Sequence, residues 1–307
     1  MSKKVITILV VTFLIITILV CVIVQTNIVL KNNITVIARS IGERTQEKSI
    51  DELKRIFGSK NVFLIKNVSP LANASKKTFE LAFKNKKKWI LVVDCDTFFF
   101  EDKIFLFIKK ADKLIKKDKN AFCFQGLVFD KFSNSKRMSG FYLYYFKNLK
   151  YKNEYYNFCK NKIRPEACIR DNIEKEGYNS YQSNDIVGIH DFFQNERDIV
   201  KKIILHSKKN EIEALEWKNN WPELSKKDDD FKYALLALEI SKTIKDNLIP
   251  DSKEFDKYLS KYNISNNKKE LTFKEIKEVI NKYNTQSKKE VINEPFIKKL
   301  KPINPAY

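Results

Sequence analysis

Residues 89–100 read W-I-L-V-V-D-C-D-T-F-F-F, five apolar residues that run into Asp94 and Asp96 on either side of Cys95. An apolar run ending in carboxylates reads as a buried strand that delivers acid groups at its carboxyl end. Three chemistries suit that arrangement. Two hard oxygen ligands two residues apart suit a divalent cation, Mg²⁺ or Mn²⁺, which as a Lewis acid offsets charge on a departing diphosphate. Alternatively, Asp94 is a nucleophile that accepts a phosphate, with Asp96 as its acid/base partner. In the third reading Asp96 only caps the helix that comes next. By strand alternation Cys95 points back into the core.

A second group lies in D-I-V-G-I-H-D-F-F-Q, residues 185–194, where His190 stands beside Asp191 after an apolar stretch containing Gly188. A neutral imidazole is a good third ligand for a cation already held by carboxylates. A local hydrogen-bonded pair with Asp191 is the other reading. The second histidine of the chain, His206, falls in a lysine-rich helical segment and offers no rival.

The elements that must position these groups alternate. Residues 34–38 read as a strand, 49–57 as a helix with Ile50, Leu53, Ile56 and Phe57 on one face, and 61–66 as a second strand. Gly58 ends the helix. Ser75 is the expected N-cap of a helix to about residue 85, residues 89–93 form the third strand, and a helix over 101–117 precedes a strand over 121–129. That order predicts an α/β fold with a mostly parallel sheet covered by helices on both faces, and ligands bind beyond the carboxyl ends of such strands. Asp94 and Asp96 stand at such an end. The aromatic run 141–146 has spacing suited to the core, or to stacking on sugar rings. From residue 196 the periodicity is helical, over 196–205, 233–242 and 273–283. No glycine-rich phosphate loop occurs among the six glycines.

The expected organisation has three parts: a tail and transmembrane anchor over 1–30, a catalytic domain over 31–195, and a helical C-terminal extension over 196–307. The anchor rests on Val5–Val24, in which only the thiol of Cys21 is ionisable. Twenty residues at helical rise cover about 30 Å, a bilayer's apolar thickness. Lys3 and Lys4 favour a cytoplasmic N-terminus. The side of the membrane that holds the domain stays open. The net charge of +20 comes almost wholly from lysine, since only seven arginines occur, so no specific nucleic-acid partner is expected. No C-x-x-C pair suggests zinc, and Cys159 and Cys168 are close enough in sequence to bridge or to be buried thiols.

On I-T-V-I-A-R-S-I-G-E-R-T (34–45), P-L-A-N-A-S-K-K-T-F-E-L-A (70–82) and W-I-L-V-V-D-C-D-T-F (89–98), the chain resembles the family-2-like GT-A glycosyltransferases over about residues 33–195. The resemblance implies a Rossmann-related GT-A fold and a sugar moved from a nucleotide-diphosphate donor to a glycan, glycolipid or glycoprotein. It implies Mn²⁺ or Mg²⁺ held by Asp94, Asp96 and His190, with Arg39, Ser40, Glu43, Lys76 and Asp94 around the nucleotide. An inverting member also needs a carboxylate base, for which Asp191 and Glu166 are the favoured candidates over Asp171 and Asp185. Two other readings stand beside it. One is a membrane-tethered phosphatase-like enzyme of haloacid-dehalogenase type, whose pattern asks for Thr or Val where this chain has Phe98. The other is a non-enzymatic basic protein that binds lipid or nucleic acid.

Overall fold

The computed structural model describes residues 3–162, 164–209, 211–244, 255, 259–262, 264, 268–289 and 296–298. Strand β1 (Ile34–Ser40) is buried at every residue and has parallel neighbours on both sides, β2 (Val62–Lys66) and β3 (Trp89–Asp94). The crossovers are helices, as parallel neighbours require. After helix α1 (Lys3–Asn32), helix α2 (Gln46–Phe57) buries Ile50, Leu53, Ile56 and Phe57 under the sheet, the face its spacing predicts. Each such side chain contributes about 1.5–3 kcal/mol of burial. Gly58 closes α2 at φ +87°, its N–H donating to the Lys54 carbonyl at 2.8 Å.

Helix α3 (Leu71–Asn85) starts earlier than expected. Pro70 occupies its N-cap, and Ser75 lies a full turn inside, buried, its hydroxyl donating to the Leu71 carbonyl at 2.9 Å. Proline is tolerated at a helix start, where its missing N–H costs nothing, so Pro70 begins the helix although no side chain caps it.

The sheet is mixed rather than mostly parallel. After the short β4 (Thr97–Phe99) and helix α4 (Glu101–Lys117), β5 (Ala121–Asp130) turns within four residues into β6 (Ser135–Arg137). A connection that short can only return the chain antiparallel. Strand β7 (Phe141–Tyr145) then inserts between β3 and β5, antiparallel to both. With β8 (Asn179–His190) parallel to β5, the path is β2-β1-β3-β7-β5-β8-β4. The aromatic run divides: Phe141, Leu143 and Tyr144 are buried, and Tyr142 lines the cleft described below. Phe141 is buried and meets the edges of Phe99 and Phe107 at 5.3 and 5.8 Å between centroids.

Helices α5 (Asn153–Cys159) and α6 (Pro165–Lys175) are joined by a Cys159–Cys168 disulfide. Helix α7 (Glu196–Lys209) opens a second core containing Ile199, Ile203, Trp221 and Phe231. That core also takes in Phe132 from the β5–β6 turn, whose carbonyl accepts from Trp221 Nε1 at 2.7 Å. The helix Phe273–Lys289 packs beside Phe192 and Phe193, and the two-residue β9 (Ile297–Lys298) pairs with β8. The helical region thus contributes to the sheet as well as covering it.

Helix α1 is continuous for 30 residues, and Val5, Leu9 and Phe13 on it are exposed. Among the described residues no helix is long and apolar enough to cross a membrane. The side chains of residues 18–27 lie outside the described residues, and the stretch before them covers only about 20 Å at helical rise. The far end of α1 docks on the domain through Leu30 and through Lys31, whose Nζ lies 5.5 Å above the Phe105 ring.

Candidate active site

The carboxyl ends of β1, β3 and β8 open into one cleft of about 380 Å³, lined among others by Arg39, Ser40, Glu43, Asp94, Asp96, Glu166 and His190. Parallel register sets Arg39 of β1 opposite Asp94 of β3. The Arg39 guanidinium donates to Asp94 Oδ1 from Nε at 3.0 Å and from Nη2 at 2.6 Å, and its Nη1 is ion-paired with Glu166. Beyond β1, Ser40 and the Ile41 N–H both donate to Glu43 Oε2, the latter at 2.9 Å. Burial raises the Glu43 pKa and the Asp96 charge adds to it, against the hydrogen bond from Ser40.

Asp96 lies deeper. Strand β4 pairs antiparallel with the end of β8, placing Thr97 against His190, and the Asp191 N–H donates to the Asp96 carbonyl at 3.2 Å. Gly188 and Gly140 permit this close approach. A Cβ on Gly188 would collide with the Phe98 carbonyl, and one on Gly140 would meet Thr97 and, at 2.7 Å, the His190 ring. Asp191 itself adopts the left-handed region at φ +70°. The result is a buried cluster of Asp96, His190 and Asp191 whose ligand atoms all lie within 4.8 Å of one another.

Every member of this cluster is oriented by a neighbour. His190 Nδ1 is 2.8 Å from Asp130 Oδ2 and 3.0 Å from Asp191 Oδ2, and Arg137 Nε donates to Asp130 at 2.8 Å. Gln194 Nε2 bridges the carboxylates, at 3.2 Å from Asp96 and 3.1 Å from Asp191. Lys202 of α7 reaches both with its ammonium group. Burial pulls the imidazole pKa down, but the charges of Asp191 and Asp96 outweigh it and lift His190 to about 10. Asp191 is held well below the usual carboxylate range, its burial cost outweighed by His190 and Lys202. The three carboxylates of Asp96, Asp130 and Asp191 are thereby balanced by Arg137, Lys202 and a protonated His190.

A divalent cation fits this donor set. Asp96 Oδ1 is buried without a hydrogen-bond partner, and it faces His190 Nε2 at 3.4 Å. Because Asp130 takes up Nδ1, the nitrogen left for a metal is Nε2, the arrangement that metal-ligating histidines use. Ligation requires the neutral ring, so a cation would displace the proton now there.

The expected residues divide into those the cleft collects and those it does not. Arg39, Ser40, Glu43, Asp94, Asp96, Glu166 and His190 line it. Asp94 is engaged by Arg39 and lies outside the cluster, where Asp191 stands in its place. Asp191 was expected as a base, but it is 1% exposed and faces Lys202, Gln194 and His190. Glu166 is tied to Arg39. Lys76 does not line the cleft and its Nζ sits 5.1 Å over the Tyr156 ring. Asp130, Arg137, Gln194, Asp198 and Lys202 went unrecognised in the sequence. The last two carried a readable signal: Asp198, Lys202 and Leu205 repeat at helical spacing and share the cleft-facing side of α7.

No known family model and no curated protein matches the chain. Among solved structures it is similar to one described as a "crystal structure of a glycosyltransferase involved in the glycosylation of the major capsid of PBCV-1". The identity is 12% and the TM-score 0.35, covering 52% of this chain and 95% of that one. A likeness that distant does not bear on the chemistry of the site.

Proposed function

We propose that the chain is a metal-dependent glycosyltransferase that moves a sugar from a nucleotide-diphosphate donor to a glycan, glycolipid or glycoprotein acceptor. The observation that carries this reading is the oriented Asp96–His190–Asp191 cluster at the carboxyl ends of the strands, of which Asp96 and His190 line a cleft with Arg39, Ser40, Glu43 and Asp94. Asp96 Oδ1 and His190 Nε2 would hold Mn²⁺ or Mg²⁺, with Asp191 beside them. The cation supplies Lewis-acid stabilisation of the leaving diphosphate. Arg137, Lys201 and Lys202 on the cleft wall add positive charge for the same phosphates. Arg39 fixes Asp94 and Glu166 on the β1 side, which suits them to ribose or acceptor hydroxyls. Asp198, whose pKa burial raises, and Glu166 are the cleft carboxylates placed to accept the acceptor's proton.

We further propose that α1 anchors the protein in a membrane, with the N-terminus cytoplasmic and the catalytic domain on the opposite side. Lys3 and Lys4 support that orientation. The Cys159–Cys168 disulfide supports an oxidising compartment for the domain. The test is release of nucleoside diphosphate from a panel of nucleotide sugars by the full-length protein in detergent. Turnover with Mn²⁺ that is lost with a chelator and in Asp96→Ala is expected; turnover indifferent to both would overturn the reading.

A further inference from the structure

Lys202 already occupies part of the cation cluster. Its ammonium group bonds to Asp96 Oδ2 and Asp191 Oδ1, one oxygen from each of the two carboxylates of the cluster. The second Asp96 oxygen, on a side chain 7% exposed, stays unpartnered and faces His190. The cluster is therefore half filled by a cation of the chain's own. Lys202 sits on α7, is about a third exposed at 32%, and also lines the open cleft. Its flexible stem can swing the ammonium from the carboxylates to the cleft without moving the helix.

We propose that Lys202 is a resident counter-cation that a divalent metal must displace from Asp96 and Asp191, and that the displaced ammonium then binds the donor's diphosphate. The inference rests on the metal-dependent reading of the site. Electrostatics favours exchange over addition. The ammonium already sits on one oxygen of each carboxylate, so a divalent cation placed beside it would meet direct repulsion at the short range where it is strongest. Exchange removes that repulsion and delivers a cation where the phosphates lie. Metal and diphosphate binding are then coupled, each favouring the state the other needs.

The experiment is Mn²⁺ titration of the full-length protein by calorimetry, for wild type, Lys202→Met, Lys202→Gln, Lys202→Arg and Asp96→Ala, with melting curves confirming that each is folded. Removing the competing charge is expected to tighten Mn²⁺ binding by about tenfold or more in Lys202→Met and Lys202→Gln, a change of about 1.4 kcal/mol. Lys202→Arg keeps the charge and gains nothing. At saturating Mn²⁺, ADP, GDP and UDP are titrated in turn, and whichever binds wild type is expected to bind Lys202→Met about tenfold more weakly. Unchanged or weaker Mn²⁺ binding in both neutral variants would overturn displacement. So would diphosphate binding that ignores a chelator yet is lost in Lys202→Met, since Lys202 would then replace the metal permanently. Equal Mn²⁺ binding by wild type and Asp96→Ala is a different failure: it removes the metal centre itself and the functional reading with it.

Discussion

Asp130 would touch neither metal nor substrate and yet decides what His190 can do. Its carboxylate holds Nδ1 at 2.8 Å and is itself held by Arg137, leaving Nε2 to face Asp96. Replacing such a supporting carboxylate typically costs 10–100-fold in metal affinity. Asp130→Asn is therefore expected to weaken Mn²⁺ binding by about that factor in a calorimetric titration; an unchanged affinity would show that Asp130 does not orient the ring. Glu43 gives a second expectation at this scale. Its folded-state pKa is raised, chiefly by burial, so between the unfolded value and the folded one the native state binds more protons than the unfolded state. Stability from this group falls as pH rises from the ordinary carboxylate range, and is regained on acidification. Glu43→Gln keeps an acceptor for Ser40 and Ile41 and removes the charge, so melting temperature measured from pH 4 to 7 should fall less steeply with rising pH than in wild type. Asp94 and His190 were legible because each ends an apolar run at a strand terminus, and Asp96 because it follows Asp94 by two residues. Asp130 and Arg137 were not, because the β5–β8 register sets Asp130 against His190 and the β5–β6 turn returns Arg137 to Asp130.

At the scale of elements, the cluster depends on β4 lying tight against β8. Gly188 makes that contact possible, since a methyl group there would strike the Phe98 carbonyl. Gly188→Ala should destabilise by about 1–3 kcal/mol, the range for overpacking a tight contact. It should also weaken Mn²⁺ binding, because the shift passes directly to Asp96 and His190. Denaturant melts and metal titration on one sample check both parts. The Cys159–Cys168 bridge makes a second element-level prediction. It closes a loop of nine residues in sequence separation, and Cys159→Ser with Cys168→Ser should cost about 2–3 kcal/mol. The first half of the sheet was readable from the alternation of strand and helix. The antiparallel β7 was not: element order does not say whether a chain returns along or against its neighbour, and the turn over 131–134 decided it. The start of α3 was missed for a local reason, a serine read as a cap where Pro70 already began the helix.

Across the whole molecule, α1 runs into β1 with a single residue between them, and β1 ends at the cleft. Seven residues of strand separate the two points, about 23 Å at β rise. With α1 as the proposed anchor and β1 directed away from the bilayer, the cleft opens well away from its surface. Acceptors that project from the membrane, or soluble ones, should be used in preference to short lipid-linked sugars; equal rates on both in reconstituted vesicles would contradict that geometry. The helical region reads in the sequence as a separate extension, yet α7 supplies Lys202 and Asp198 to the cleft wall. Helical periodicity reveals a buried face but not what that face is pressed against.

If Asp96 and His190 form a cation site, diphosphate binding must depend on the metal they hold. That dependence is read from the melting temperature of the full-length protein with a panel of nucleoside diphosphates, with Mn²⁺ or with a chelator, for wild type and Asp96→Ala. At least one nucleotide should stabilise wild type with Mn²⁺ and not with chelator, and Asp96→Ala should lose this response. A nucleotide response of equal size in all four conditions, or none in any, would contradict a metal-dependent site.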